Sequence, residues 1–150
     1  MAWLTELILL RIEVVFDADG ITVAVLGTPI DSIYPVCNTE LSKRILEKGA
    51  ILSEHPPGAK IERYNFLTRN RIVAGLADAV LIVEAGKKSG TFSTACYAND
   101  QNKDVFAVPG DIDSPNSAGC NELIQNGALV FTSVEDILLR LFGTRKKNNK

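Results

Sequence analysis

The sequence predicts an α/β fold on a mostly parallel sheet, and three observations carry that reading. Strand-like and helix-like stretches alternate along the chain, a pattern that implies parallel strands joined by right-handed crossovers. The strand candidates Ile21–Leu26 (I-T-V-A-V-L) and Ala79–Glu84 (A-V-L-I-V-E) are nearly continuous apolar, β-branched runs, as expected of strands buried on both faces. At 150 residues, 46% of them hydrophobic and 23% charged, the chain is long enough for one domain with a substantial core.

Taken in order, residues 1–16 leave two readings open. Leu4, Leu7, Ile8 and Arg11 recur at helical spacing, while Ile12–Phe16 is β-branched enough for a strand. Gly27 ends the strand that follows. Asn38 is placed to cap a helix over Thr39–Lys48, with Leu41, Ile45 and Leu46 on one face and Gly49 as its stop. Ala50–Ser53 is a short strand, and Glu54-His55-Pro56-Pro57-Gly58 is a loop, because proline fixes φ and lacks a donor. Tyr64–Leu76 reads as a loop running into a helix, with the arginines in the loop. Beyond the strand at Ala79–Glu84, a helix is expected over Thr91–Asn99, a strand over Asp104–Val108 and an irregular polar loop over Pro109–Ala118. A short helix over Asn121–Gln125 and a strand over Leu129–Phe131 follow. Ser133 then caps a helix to about Leu141, with Glu135 and Asp136 in its first turn, where the helix dipole favours carboxylates. Arg145–Lys150 is a basic run expected to be a structureless, solvated end. One domain is thus expected over residues 1–143, with 1–19 unassigned and 144–150 as tail.

Composition narrows the chemistry. A net charge of −2 means that nucleic-acid binding would have to rest on a local patch. Cys37, Cys96 and Cys120 lack metal-ligand spacing and have only His55 to join them, so no metal site is expected and the thiols read as fillers in a reducing compartment. Glu6, Arg11 and Glu13 interrupt the apolar start, which argues against a signal peptide or membrane span and makes the cytoplasm the expected location. Neither G-x-x-x-x-G-K-[ST] nor G-x-G-x-x-G occurs, so no nucleotide cofactor is expected. Glu54 and Glu84 could form an acid/base pair or simply cap neighbouring loops, and no catalytic agent stands out.

The stretch richest in binding chemistry is Asn65–Leu76 (N-F-L-T-R-N-R-I-V-A-G-L). Arg69 and Arg71 carry guanidinium forks suited to phosphate oxygens, and a helix N-terminus at Ser89-Gly90-Thr91 would offer backbone N–H groups to the same partner. As surface arginines and an ordinary N-cap, the same residues would need no ligand. In an open parallel sheet, ligands bind beyond the carboxyl ends of the strands. That places Gly27, Thr28, Glu84 and Gly110 as crevice residues, since each follows a strand.

Six stretches in order carry a family resemblance: V-A-V-L-G-T-P-I-D-S-I-Y-P, L-S-E-H-P-P-G, N-F-L-T-R-N-R-I-V-A-G-L, V-L-I-V-E-A-G-K-K-S-G-T, V-F-A-V-P-G-D-I-D-S-P and G-C-N-E-L-I-Q-N-G-A. Together they resemble the DNA-processing protein A (DprA, or Smf) family over about Gly20–Leu141. The resemblance implies a three-layer Rossmann-like fold that binds single-stranded DNA, hands it to RecA recombinase in natural transformation or recombination, forms homodimers and needs no cofactor. It further implies a DNA-facing surface at Arg69, Asn70, Arg71, Lys88, Ser89, Gly90 and Thr91, with Phe66 or Tyr64 able to stack a base. Phe66 could equally be a core residue. The family's upstream Gly-x-Arg turn and Gly-Leu-Ala-Arg-Gly-Ile-Asp segment have no counterpart here, so the first strands of the family domain are expected to be missing and DNA affinity to be reduced. Pro29 stands where the family often has glycine. Two other readings remain: a small-nucleotide enzyme or sensor resembling the nucleoside monophosphate phosphoribohydrolases, and an inactive truncated remnant.

Overall fold

The computed structural model describes residues 12–87 and 89–143. These fall into two compact units, one up to Arg69 and one from Asn70 onward.

The first unit is a βαβ arrangement preceded by a helix. Residues 12–17 are helical (α1), so the β-branched Ile12–Phe16 run is not a strand, while residues 1–11 lie outside the described part. Strand β1 (Val23–Leu26) pairs in parallel with β2 (Ala50–Ser53), from Val23 opposite Ala50 to Leu26 opposite Ser53. A 3-10 turn at Val36–Asn38 and α2 (Thr39–Lys48) make the crossover between them. Leu41 and Ile45 of α2 are buried with Val25 of β1, one turn apart as a helix face requires. Leu46, expected on that face, is 59% exposed because it lies a further 100° round the helix. Asn38 occupies the N-cap position without a side-chain cap bond; its neighbour Thr39 instead donates Oγ1 to the Val36 carbonyl at 2.7 Å. Gly49 stops α2 for a steric reason, since a Cβ there would sit 1.9 Å from the Thr22 carbonyl oxygen. On the outer side, Arg44 reaches Glu13 at 3.2 Å and lies 5.0 Å over the Phe16 ring, tying α2 to α1.

Helix α3 (Arg63–Leu76) runs from the first unit into the second. It corrects the sequence reading, which put Arg69–Arg71 in a loop. The polar stretch lacks a clean apolar stripe, and its helicity comes from packing: Asn65 is 4% exposed and Ala74 fully buried.

The second unit is a three-stranded parallel sheet, β3 (Ala79–Ile82), β4 (Asp104–Ala107) and β5 (Leu129–Val130), in that order. Helices α4 (Thr91–Asp100) and α5 (Ala118–Gln125) make the crossovers, and α6 (Val134–Phe142) follows. Ile82, Ala85, Ala95, Ala107 and Cys120 form the core. All but Ile82 are small, which lets helices approach the sheet closely. α5 begins three residues earlier than expected. Gly119 in its first turn donates its N–H to the Ala85 carbonyl at 2.7 Å, and a Cβ there would fall 2.5 Å from that oxygen. Ahead of α6, the Asp136 carboxylate accepts from the N–H groups of Thr132 and Ser133 at 2.8 and 2.9 Å and from the Thr132 hydroxyl at 3.0 Å. Arg140 of α6 grips Asp104 of β4 through two bonds, 2.8 and 3.0 Å.

The expected α/β class and parallel pairing are thus observed, with the strands hydrogen-bonded as a two-stranded and a three-stranded sheet. Among the described residues, no helix is long and apolar enough to cross a membrane.

Candidate nucleic-acid interface

In the first unit the candidate residues gather where β1 ends. Gly27 is buried, and a Cβ on it would meet the Phe66 ring at 2.8 Å and the Phe66 Cα at 3.1 Å. Glycine here is therefore what lets α3 lie against the strand end. Thr28, 1% exposed, donates its hydroxyl to the Ser32 carbonyl at 2.6 Å, and its own carbonyl accepts from the Ser53 hydroxyl at 2.7 Å. The turn after β1 is thereby fastened to the end of β2. Pro29 is among the most fully buried side chains, so its ring fills space behind the turn.

Phe66 packs under this turn, half-buried, with the Tyr34 ring 5.9 Å away and tilted by 58°. Arg69, one turn further along α3 and half-buried, donates an Nη1 hydrogen bond to the Val25 carbonyl of β1. Burial lowers its pKa, because a guanidinium withdrawn from water loses hydration. Arg69 is thus a clasp between α3 and β1.

In the second unit Asn70 plays the corresponding part toward α4. Its Nδ2 donates to the Ser93 hydroxyl at 2.7 Å and lies 3.4 Å from the Gly90 carbonyl, which also accepts from Ser93 Oγ at 2.6 Å. The Ser89 and Thr91 hydroxyls are 2.8 Å apart. The Ser89 N–H donates to the Gly86 carbonyl at 3.0 Å and the Thr91 N–H to Ser89 Oγ at 3.2 Å, so both donors are engaged within the turn. Ser89 and Thr91 are half-buried and Gly90 between them is exposed. Lys88 lies outside the described residues. Arg71 is exposed, and its backbone carbonyl accepts from Gln101 Nε2 at 3.0 Å, which ties the α3 backbone to the end of α4.

Glu84 and Gly110 follow β3 and β4 as expected. Glu84 is exposed, two residues past the end of β3. Gly110 is held by Asn121 through both its N–H (3.2 Å) and its carbonyl (2.9 Å). A Cβ on it would collide with Ser117 Oγ at 2.3 Å. Asn121, Ser93 and Tyr34 were missed in the sequence. Each acts through a tertiary partner, and nothing local marks it. The core thiol Cys120 donates to the Ile82 carbonyl at 3.7 Å, and burial pushes its pKa up. Among the described residues no group of His, Cys, Asp and Glu is arranged to hold a metal.

The parallel βα units have a Rossmann-like arrangement of helices and strands, with no metal-holding group among the described residues. The family described as DNA recombination-mediator protein A matches residues 12–142, and the chain belongs to it. It is 51% identical to Protein Smf of Synechocystis over 82% of this chain and 31% of that one. Against DNA processing protein DprA of Streptococcus pneumoniae the identity is 43%, over 79% of this chain and 42% of the other. The X-ray structure of DprA from Streptococcus pneumoniae superposes with a TM-score of 0.77 at 40% identity, covering 85% of this chain and 45% of that one. A structure of DNA processing protein A from Helicobacter pylori, described for its single-stranded DNA binding mode, gives 0.71 at 31% identity over 80% and 55%. The chain thus spans between about a third and a half of these relatives.

Proposed function

We propose that this chain is a single-stranded DNA-binding module of the DNA-processing type, a binding protein and not an enzyme. The observation that carries the reading is the likeness to the Helicobacter pylori protein, whose binding to single-stranded DNA is the subject of its structure. The geometry supports it. Arg71 stands exposed on α3, beside an Asn70 that fixes the hydroxyl-rich turn at Ser89–Thr91. Guanidinium and hydroxyl groups suit a phosphate track, and Lys88 extends the cationic stretch in sequence. Within the first unit, Arg69 and Phe66 fix α3 against the end of β1.

The finer part of the proposal is transfer of bound DNA to RecA recombinase by a homodimer. Helix α6 leaves Val134, Leu138, Leu139 and Phe142 exposed, by 61, 47, 53 and 73%. An apolar helix face of this kind marks a protein contact, and a second copy is the proposed occupant. A shorter lag in RecA's DNA-dependent ATP hydrolysis on oligothymidine covered by the chain supports the transfer; an unchanged lag opposes it.

The direct test is fluorescence anisotropy of labelled oligothymidine across a salt series, with the chain and its Arg71→Glu variant. Binding that weakens steeply with salt, and is lost in the variant, supports the proposal. A folded chain that does not bind refutes it.

A further inference from the structure

Bases need a flat apolar surface as phosphates need cations, and the first unit contains one that includes a ring the sequence did not single out, Tyr34. Three ringed side chains lie on its α3 and β1-turn segments. Phe66 is half-buried, its ring against Gly27, where even a methyl group would meet it at 2.8 Å. Tyr64, on the same helix, is 61% exposed, and no ring partner holds it among the described residues. Tyr34 combines the two properties. It is 58% exposed, yet its ring rests on Phe66 at 5.9 Å in a tilted arrangement favoured by aromatic quadrupoles. The turn that carries it is pinned at Thr28 by bonds to Ser32 and Ser53. It follows β1, where ligands of parallel sheets bind.

We propose that Tyr34 is a base-stacking platform, with Phe66 as its buttress and Gly27 as the clearance that seats the buttress. The inference rests on the single-stranded DNA reading above and assigns a base-contacting residue within the first unit. A preorganised ring loses little freedom when a base settles on it, and stacking on a ring tolerates any base, since each has a π-face. Tyr34 therefore adds affinity without sequence preference and without changing the salt slope, because a neutral ring releases no counterions.

The test compares wild type, Tyr34→Phe and Tyr34→Leu on oligothymidine and on an abasic deoxyribose-phosphate oligomer of equal length, each across a salt series. Leucine still covers Phe66 but has no π-face. The expected result is about ten-fold weaker oligothymidine binding by Tyr34→Leu, with Tyr34→Phe within about two-fold of wild type. The abasic oligomer should bind all three alike, and all three should keep one salt slope. Equal oligothymidine binding by wild type and Tyr34→Leu overturns the platform while leaving the DNA reading in place. Equal losses on both oligomers also overturn it and make Tyr34 a support for the turn. Failure of folded wild type to bind either oligomer overturns both readings.

Discussion

Two arginines two residues apart on α3 should behave oppositely when each is replaced by methionine, which keeps the apolar stem and removes the charge. Arg69 is half-buried and donates to the Val25 carbonyl in the first unit, whereas Arg71 is exposed in the second. A hydrogen bond from a charged donor contributes about 1.5–3 kcal/mol net, and the half-exposed setting of Arg69 places it at the low end. Arg69→Met should therefore cost about 1.5–2 kcal/mol, a fall in Tm of roughly 5 °C for a domain of this size. Its salt slope for oligothymidine should not change, since the lost guanidinium faced a carbonyl and not a phosphate. Arg71→Met should flatten the slope of log K against log salt by about 0.7, the share of one phosphate on a single strand. Circular-dichroism melting and anisotropy on the same preparations give both numbers. An Arg69→Met protein with unchanged Tm and a slope reduced by one phosphate would refute the clasp and make Arg69 a direct DNA ligand.

Acid should loosen the second unit through two carboxylates. Backbone and hydroxyl donors from Thr132 and Ser133 lower the pKa of Asp136, and the Arg140 hydrogen bonds lower that of Asp104. Because the folded state holds these protons less tightly than the unfolded chain, their contribution is complete above the unfolded carboxylate pKa of about 3.9. It is lost as pH falls through the lower folded values. Urea midpoints should be flat from pH 7 to 5 and fall below about 4, and a double Asp104→Asn, Asp136→Asn variant should show a shallower fall; equal slopes would exclude these groups. For α6, the proposed homodimer predicts that the wild-type chain sediments as a dimer at equilibrium and that Leu138→Glu with Phe142→Glu sediments as a monomer. A dimer that survives both charges would place the interface elsewhere.

Much of the fold was legible because its signals are local. Ala50–Ser53 and Thr39–Lys48 were read to the residue, since a short apolar run directly after a helix ended by Gly49 needs no distant partner to be recognised. Even there the reason for the stop was hidden: Gly49 is required by the Thr22 carbonyl on a neighbouring segment. The early start of α5 failed for the same cause. Gly119 looks like a helix breaker in sequence, yet its missing Cβ is what admits the Ala85 carbonyl and lets the helix begin at Ala118.

The candidate site was legible in its residue types and not in their partners. A sequence shows that Arg69 and Arg71 carry the same fork, but two residues on a helix are about 200° apart, so identical chemistry is delivered to different surroundings. One guanidinium meets the end of β1, and the other belongs to an exposed residue. Likewise, Phe66 and Tyr34 are 32 positions apart in the chain, and only the fold brings their rings to 5.9 Å. The ring that drew notice in sequence is half-buried, and the ring that did not is the more exposed of the two. Burial therefore redistributes the roles within a motif. The helix N-terminus shows the same effect: the Ser89 and Thr91 N–H groups are engaged within the turn. On the proposed single-stranded DNA reading, its contribution toward a phosphate therefore moves from those two backbone donors to side chains.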